Sequence, residues 1–156
     1  MVILALDQAT KTSGYSVFIN SKLTEYGTIN SDHDEPNTLE RIKQMQDGID
    51  KLIDRIHPDV VVLENIQFQR NIATFKFLAF LIGGLTYRLN KDDIPYYFIE
   101  PTAWKSFCRI HGSKREEQKK NTQKYVKNKY KVDCTEDEAD SIGIGTWAIC
   151  NIKENK

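Results

Sequence analysis

Glu64 ends an otherwise apolar run, Asp59-Val60-Val61-Val62-Leu63-Glu64, whose pattern is that of a strand buried on both faces. An ionised carboxylate drawn out of water costs on the order of several kcal/mol unless a cation or hydrogen-bond donors compensate it, so an acid at the end of a core strand calls for a partner. Two other segments supply matching acids. Asp7 closes the apolar opening Met1-Val2-Ile3-Leu4-Ala5-Leu6, and Asp137 and Asp140 lie in Glu136-Asp137-Glu138-Ala139-Asp140, ahead of an apolar helical pattern. Brought together, these four carboxylates form an oxygen-only cage for a hard cation, Mg²⁺ or Mn²⁺. Asp137 and Asp140, at i and i+3, share one helix face. Glu136 and Glu138 point away from it, where acids in a first turn oppose the helix dipole, and are left outside the site.

Charge points the same way. The chain carries 22 basic and 22 acidic residues, but residues 100 to 131 hold ten Lys or Arg against three acids, a local net of plus seven that leaves minus seven elsewhere. A basic block beside clustered carboxylates suits a metal-dependent enzyme acting on a polyanion, because steering the substrate and holding the metal are opposite electrostatic tasks. Lys105, Arg109, Lys114, Arg115, Lys119 and Lys120 are the candidate phosphate contacts in this block. Its other reading is a solvated lysine-rich helix.

The elements that must position these residues follow from periodicity. Residues 2 to 7, 13 to 20 and 23 to 29 read as an antiparallel strand meander with a short turn at Asn20-Ser21. A helix from about Pro36 carries Leu39, Ile42, Met45, Ile49, Leu52, Ile53 and Ile56 at helical spacing and stops at His57-Pro58. The Glu64 strand follows, and a strand, helix, strand order implies parallel pairing by a crossover. A second helix from 71 to 90 is apolar on more than one face, with Phe77 and Phe80 beside Ile72, Phe75, Leu78, Leu81, Ile82, Leu85 and Leu89, which predicts a surface for a partner subunit. A strand at 94 to 100, a short helix from Pro101 to Phe107, a basic helix from 116 to about 130 and a last helix from Cys134 or Thr135 complete the chain. The expected fold is α/β, with a mixed five-stranded sheet (antiparallel meander plus parallel strands) flanked by helices.

At 156 residues, 40% of them hydrophobic, the chain suffices for one sizeable core and reads as a single domain, 1–156. No apolar stretch is read as a membrane span and no leader-like segment opens the chain, so no membrane partner and a cytoplasmic location are expected. Cys108, Cys134 and Cys150 form no CxxC pair and read as small buried hydrophobes rather than disulfides or zinc ligands, and His33, His57 and His111 are scattered.

Leu4-Ala5-Leu6-Asp7 with Gly14-Tyr15, Asp59 to Asn65, Pro101-Thr102-Ala103-Trp104-Lys105, and Asp137-Glu138-Ala139-Asp140-Ser141-Ile142-Gly143-Ile144 together resemble the RuvC-type Holliday junction resolvases of the ribonuclease H-like fold, in a phage-like version. The resemblance spans nearly the whole chain. It implies a homodimeric, metal-dependent endonuclease that nicks four-way junctions or other branched DNA, working in a bacterial host's cytoplasm if phage-encoded. The family's carboxylates fall on Asp7, Glu64, Asp137 and Asp140, which would hold two Mg²⁺ about 4 Å apart, with Mn²⁺ as substitute. Lys105 and one of Lys119 or Lys120 fall near the scissile phosphate, and Phe68 falls where an aromatic stacks at the junction. On this reading the 71–90 helix is the dimer interface, with Arg70 and Lys76 near its start reaching DNA. One departure stands out: the family has Asp-Pro-Gly after the first strand, and here Asp7 is followed by Gln8-Ala9-Thr10. Two alternatives stay open at this level: a ribonuclease H-like nuclease acting on RNA–DNA hybrid, flap or fork, and a non-catalytic protein that binds branched DNA. An actin-like kinase domain is disfavoured by the absence of a glycine-rich phosphate loop.

Overall fold

A five-stranded sheet in the order β3-β2-β1-β4-β5 forms the middle layer of the computed structural model, which describes residues 1–68 and 71–153. β1 (Val2–Asp7), β2 (Thr12–Ile19) and β3 (Lys22–Asn30) make the antiparallel meander, and β4 (Val60–Glu64) and β5 (Tyr96–Ile99) extend it in parallel beside β1. Asn20 and Ser21, with φ of 49° and 65°, turn the hairpin between β2 and β3, the left-handed pair that matches strand twist in a two-residue turn. β5 is shorter than the 94–100 expected. Ile94 N–H is taken by Leu89 C=O at 2.9 Å, and Glu100 is already the cap of the next helix.

Helices bridge the parallel strands. α1 (Thr38–Ile56) begins at Asn37, whose side chain accepts from Leu39 N–H, and ends where His57 turns left-handed (φ 49°) ahead of Pro58. α2 (Ile72–Lys91) follows β4, and after β5 come α3 (Pro101–Phe107), α4 (Arg115–Tyr130) and α5 (Glu136–Asn151). Side-chain alternation along the central strands sorts the apolar residues into two layers. Leu4, Leu6, Val61 and Leu63 pack with Met45, Ile49, Leu81 and Leu85 of α1 and α2. Ile3, Ala5, Val60 and Val62 pack with Trp104, Val126, Ala139 and Ile142 of α3, α4 and α5. β1 and β4 are therefore buried on both faces along their middles, and their last residues, Asp7 and Glu64, come partly clear of the core, as does Val2 at the start of β1.

α2 corrects one expectation. Over its 20 residues it is, by length and composition, apolar enough to cross a membrane. The helix carries Lys76 and Arg88 within that length. Arg88 instead fastens the helix to α1, bonding Asp54 at 2.5 Å and Asp92 at 2.6 Å with Asp50 at 3.5 Å, while Leu81, Leu85 and Leu89 are buried beneath it.

α5 lies against the meander because Gly14 has no side chain. Gly14 pairs with Asp7 across β1 and β2, and a Cβ placed on it would fall 1.9 Å from the backbone oxygen of Asp137. The missing methyl is what lets the first turn of α5 descend to the height of Asp7. Gly14→Ala is expected to lower stability by at least about 2 kcal/mol, since backbone must move to admit it. Urea unfolding of the variant checks this, and an unchanged midpoint would contradict the packing described.

Candidate active site

Three elements end at one place. β1 delivers Asp7, and β4, in register with it at Leu6 and Leu63, delivers Glu64 alongside. The first two turns of α5 deliver Asp137 and Asp140. That helix is fixed by a reciprocal cap: Thr135 N–H donates to Glu138 Oε2 at 2.7 Å, and Glu138 N–H donates to Thr135 Oγ1 at 3.3 Å. Glu138 is thus occupied in the cap, and Glu136 pairs with Lys119, so both stand outside the acid cluster, as their positions in the sequence imply.

All four acids line a single cleft of about 310 Å³, together with Lys105, Arg115 and Lys119. Among the described residues none of the four makes an ion pair, nor have any three closed to a ligating arrangement. The acids share a cavity with compensation too weak to offset their burial. Burial raises the Asp7 carboxyl well above the usual carboxylate range, and repulsion from Glu64, Asp140 and Asp137 adds to it. Burial also pushes Asp140 up to about 6 despite the attraction of Lys105, and it pushes Glu64 up in part against a hydrogen bond from Trp104. Four carboxylates, recessed, mutually repelling and without a direct ion pair among the described residues, fit a hard divalent cation.

The turn that departs from Asp-Pro-Gly is rebuilt by side chains. The buried Gln8 donates from Nε2 to the backbone oxygen of Glu64, tying the ends of β1 and β4 together, and Ala9 N–H donates to Ser13 Oγ at 2.9 Å. The cations sort by element. Lys105 on α3 reaches Gln118 Oε1 at 3.4 Å and lies 5.3 Å above the Trp104 ring. Lys119 lines the cleft while holding Glu136, whereas Lys120 is exposed and outside the lining. Arg115 belongs to the cleft. Arg109, Lys114, Lys76 and Phe68 are exposed and are not among its walls. Phe68, 75% exposed, meets Phe75 edge-on at 5.8 Å, and Lys76 sits 5.6 Å from the Phe80 ring. Arg70 lies outside the described residues. Sequence reasoning passed over Gln67 and Gln118 in the cleft wall and the bond from Trp104 to Glu64, because a neutral amide or a core indole carries no charge signal along the chain.

Comparison with known proteins agrees with this geometry. Residues 3–150 match the family model "Crossover junction endodeoxyribonuclease RuvC". The protein of that name from Chloroflexus aggregans is 26% identical over 155 residues, covering 97% of this chain and 92% of the relative, and that from Petrotoga mobilis is 27% identical over 146 residues, covering 91% and 89%. Among solved structures, Thermus thermophilus RuvC in complex with a Holliday junction substrate superposes with a TM-score of 0.75 at 16% identity, covering 97% of each chain. Fowlpox virus resolvase with Holliday junction DNA gives 0.61 at 20% identity, over 98% of this chain and 100% of that one. The fold is therefore the mixed α/β sheet of these ribonuclease H-like resolvases, and the chain belongs to the RuvC family of crossover junction endodeoxyribonucleases.

Proposed function

We propose that this protein is a metal-dependent endonuclease that resolves four-way DNA junctions as a homodimer. The observation that carries the proposal is the convergence of Asp7, Glu64, Asp137 and Asp140 in one cleft walled by Lys105, Arg115 and Lys119, in a chain matched to the RuvC family over residues 3–150. Asp7 and Glu64, side by side on adjacent strand ends, would be the inner ligands of Mg²⁺, with Asp140 and Asp137 completing the set from α5. Bound there, two such ions would supply Lewis-acid activation of water and charge neutralisation at the leaving oxygen. The chain's own groups do the rest. Lys105 and Lys119 place ammonium charge at the scissile phosphate, and Arg115 offers a planar fork to a neighbouring one. Hydrolysis forms a bond from water oxygen to phosphorus and breaks the P–O3′ bond, leaving a 5′-phosphate and a 3′-hydroxyl. Lys119 must release Glu136 to reach the phosphate, and Phe68, exposed beside the cleft-bearing strand, would stack on an unpaired base.

α2 supports the homodimer. Ile72, Phe80 and Tyr87 are 66%, 46% and 71% exposed, and with Lys76 and Gly83 they form a stripe opposite the buried Leu81, Leu85 and Leu89. A two-fold pairing of that stripe would set two clefts against the two equivalent strands of a junction. The exposed Phe and Tyr otherwise remain in water.

Protons and metal compete for the same carboxylates. Because Asp140 is raised from 3.8 to about 6, the folded chain binds a proton that the unfolded chain does not across that window. Stability of the metal-free protein therefore rises as pH falls toward 4, and the difference amounts to on the order of 3 kcal/mol when fully developed. Asp7 and Glu64 act in the same direction. Glu25, held low by its bond from Arg55, works the opposite way and only below its ordinary 4.5.

In EDTA the melting temperature is expected to climb between about pH 7.5 and pH 5, and Asp7→Asn is expected to raise it at neutral pH by several degrees, a gain that Mg²⁺ shrinks by stabilising the parent chain alone. Thermal unfolding of both chains with and without Mg²⁺ measures this. A labelled four-way junction should be nicked in Mg²⁺ and left whole in EDTA. Asp7→Asn should bind the junction yet nick it at least about 100-fold more slowly, because it removes a metal ligand and no phosphate contact. Exclusive cleavage of RNA in a hybrid, or tight junction binding with no nicks in Mg²⁺, would replace the proposal with one of its alternatives. Phe80→Glu should sediment as a monomer and nick one strand where the parent nicks two.

A further inference from the structure

α3 is only seven residues long, and its one buried side chain is Trp104, fully enclosed with 0% exposure. The indole N–H donates to Glu64 Oε1 at 2.8 Å. Its six-membered ring lies against α5 at Gly143, where a Cβ would fall 2.5 Å from Cζ3 and 2.7 Å from Cε3. Gly143 stands three residues after Asp140, on the same helix face, and the residue after Trp104 is Lys105. One side chain thus registers three parts of the site at once: the carboxylate on β4, the helix that carries Asp137 and Asp140, and the lysine on α3. Glu64 Oε2 has no hydrogen-bond partner among the described residues.

We propose that Trp104 is a positioning residue for the nuclease reaction, its indole N–H fixing Glu64 so that Oε2 is presented to the metal, with Gly143 as the clearance that admits the ring. This rests on the metal-dependent reading above and assigns a role that the acids and lysines alone do not contain. A carboxylate on a rotatable side chain loses orientational freedom when it binds an ion, and a donor already seated on one oxygen removes part of that loss beforehand. The Trp104 N–H can do this because it cannot relax: the ring is held by core on one side and by α5 on the other. A tryptophan serving only as core filling would find the same acceptor by chance, and its loss would cost stability without touching metal affinity.

The two readings separate experimentally. In Trp104→Phe, calorimetric titration of the metal-free protein with Mg²⁺ is expected to show affinity weakened by about 10- to 100-fold, with kcat for junction nicking lowered to a similar degree and KM for the junction little changed. Gly143→Ala, which keeps the indole but displaces it, is expected to weaken Mg²⁺ binding in the same direction. The chain has two tryptophans, Trp104 and Trp147, so ¹⁵N-labelled protein gives two indole signals. The one absent from Trp104→Phe should move in Glu64→Ala without metal, and should move in the unsubstituted protein when Mg²⁺ is added. Unchanged Mg²⁺ affinity in Trp104→Phe overturns the proposal whatever its melting temperature. If that variant does not fold, two indole signals that both ignore Glu64→Ala and Mg²⁺ overturn it instead. An unsubstituted protein that binds Mg²⁺ and shows the indole response but nicks no junction contradicts the nuclease reading and leaves the Trp104–Glu64 coupling in place.

Discussion

Carboxylates repel one another and resist burial, yet the ends of β1 and β4 and the first two turns of α5 hold four of them around one recessed cleft with no ion pair to any of the four among the described residues. Much of the architecture around this cleft sustains that arrangement. The valine-rich β4 is anchored on both faces, so Glu64 cannot withdraw; Gln8 binds β4 to β1, so Asp7 and Glu64 cannot separate; Gly14 permits α5 to press down on the pair. The energy stored in these contacts is supplied by two apolar layers that are far larger than the site. On the proposed reading, the remaining compensation of the acids would come from a metal ion bound from outside the chain.

The electrostatic design is divided spatially. Asp7 and Glu64 stand at the strand ends and Asp137 and Asp140 near the start of α5, while the cations of the same cleft stand on α3 and α4 without a direct ion pair to any of the four among the described residues. Lys119 illustrates the balance. Its partner is Glu136, the residue just before Asp137 in sequence, so it is held at the rim by an acid outside the cluster of four. An arginine bound in bidentate fashion to Asp7 or Asp140 would have neutralised the site and removed its affinity for a divalent ion.

Much of this was legible in the sequence, for physical reasons that differ from element to element. Glu64 stood out because β4 is apolar without alternation, the signature of a strand with no wet face. Asp137 and Asp140 could be paired because helical spacing is rigid, and Glu136 and Glu138 could be set aside because first-turn acids have a separate explanation. Distance across the chain was harder to see. That Gln8 crosses to the Glu64 backbone, that Gly14 lies beneath Asp137, and that Trp104 donates to Glu64 are all contacts between segments far apart in sequence, made by residues whose types suggest only packing or polarity. The membrane-like hydropathy of α2 was not read from the sequence, and Arg88, one of its charges, proves to be a clamp onto α1.

The most direct test of the central claim is a crystal of the protein soaked in Mn²⁺ and examined by anomalous diffraction. The account predicts anomalous density in the cleft between Asp7 and Glu64, with ligation from α5 through Asp140 and oxygen distances near 2.2 Å. Acids that stay apart with no ion among them, or a lysine or arginine closing onto Asp7 in its place, would contradict it.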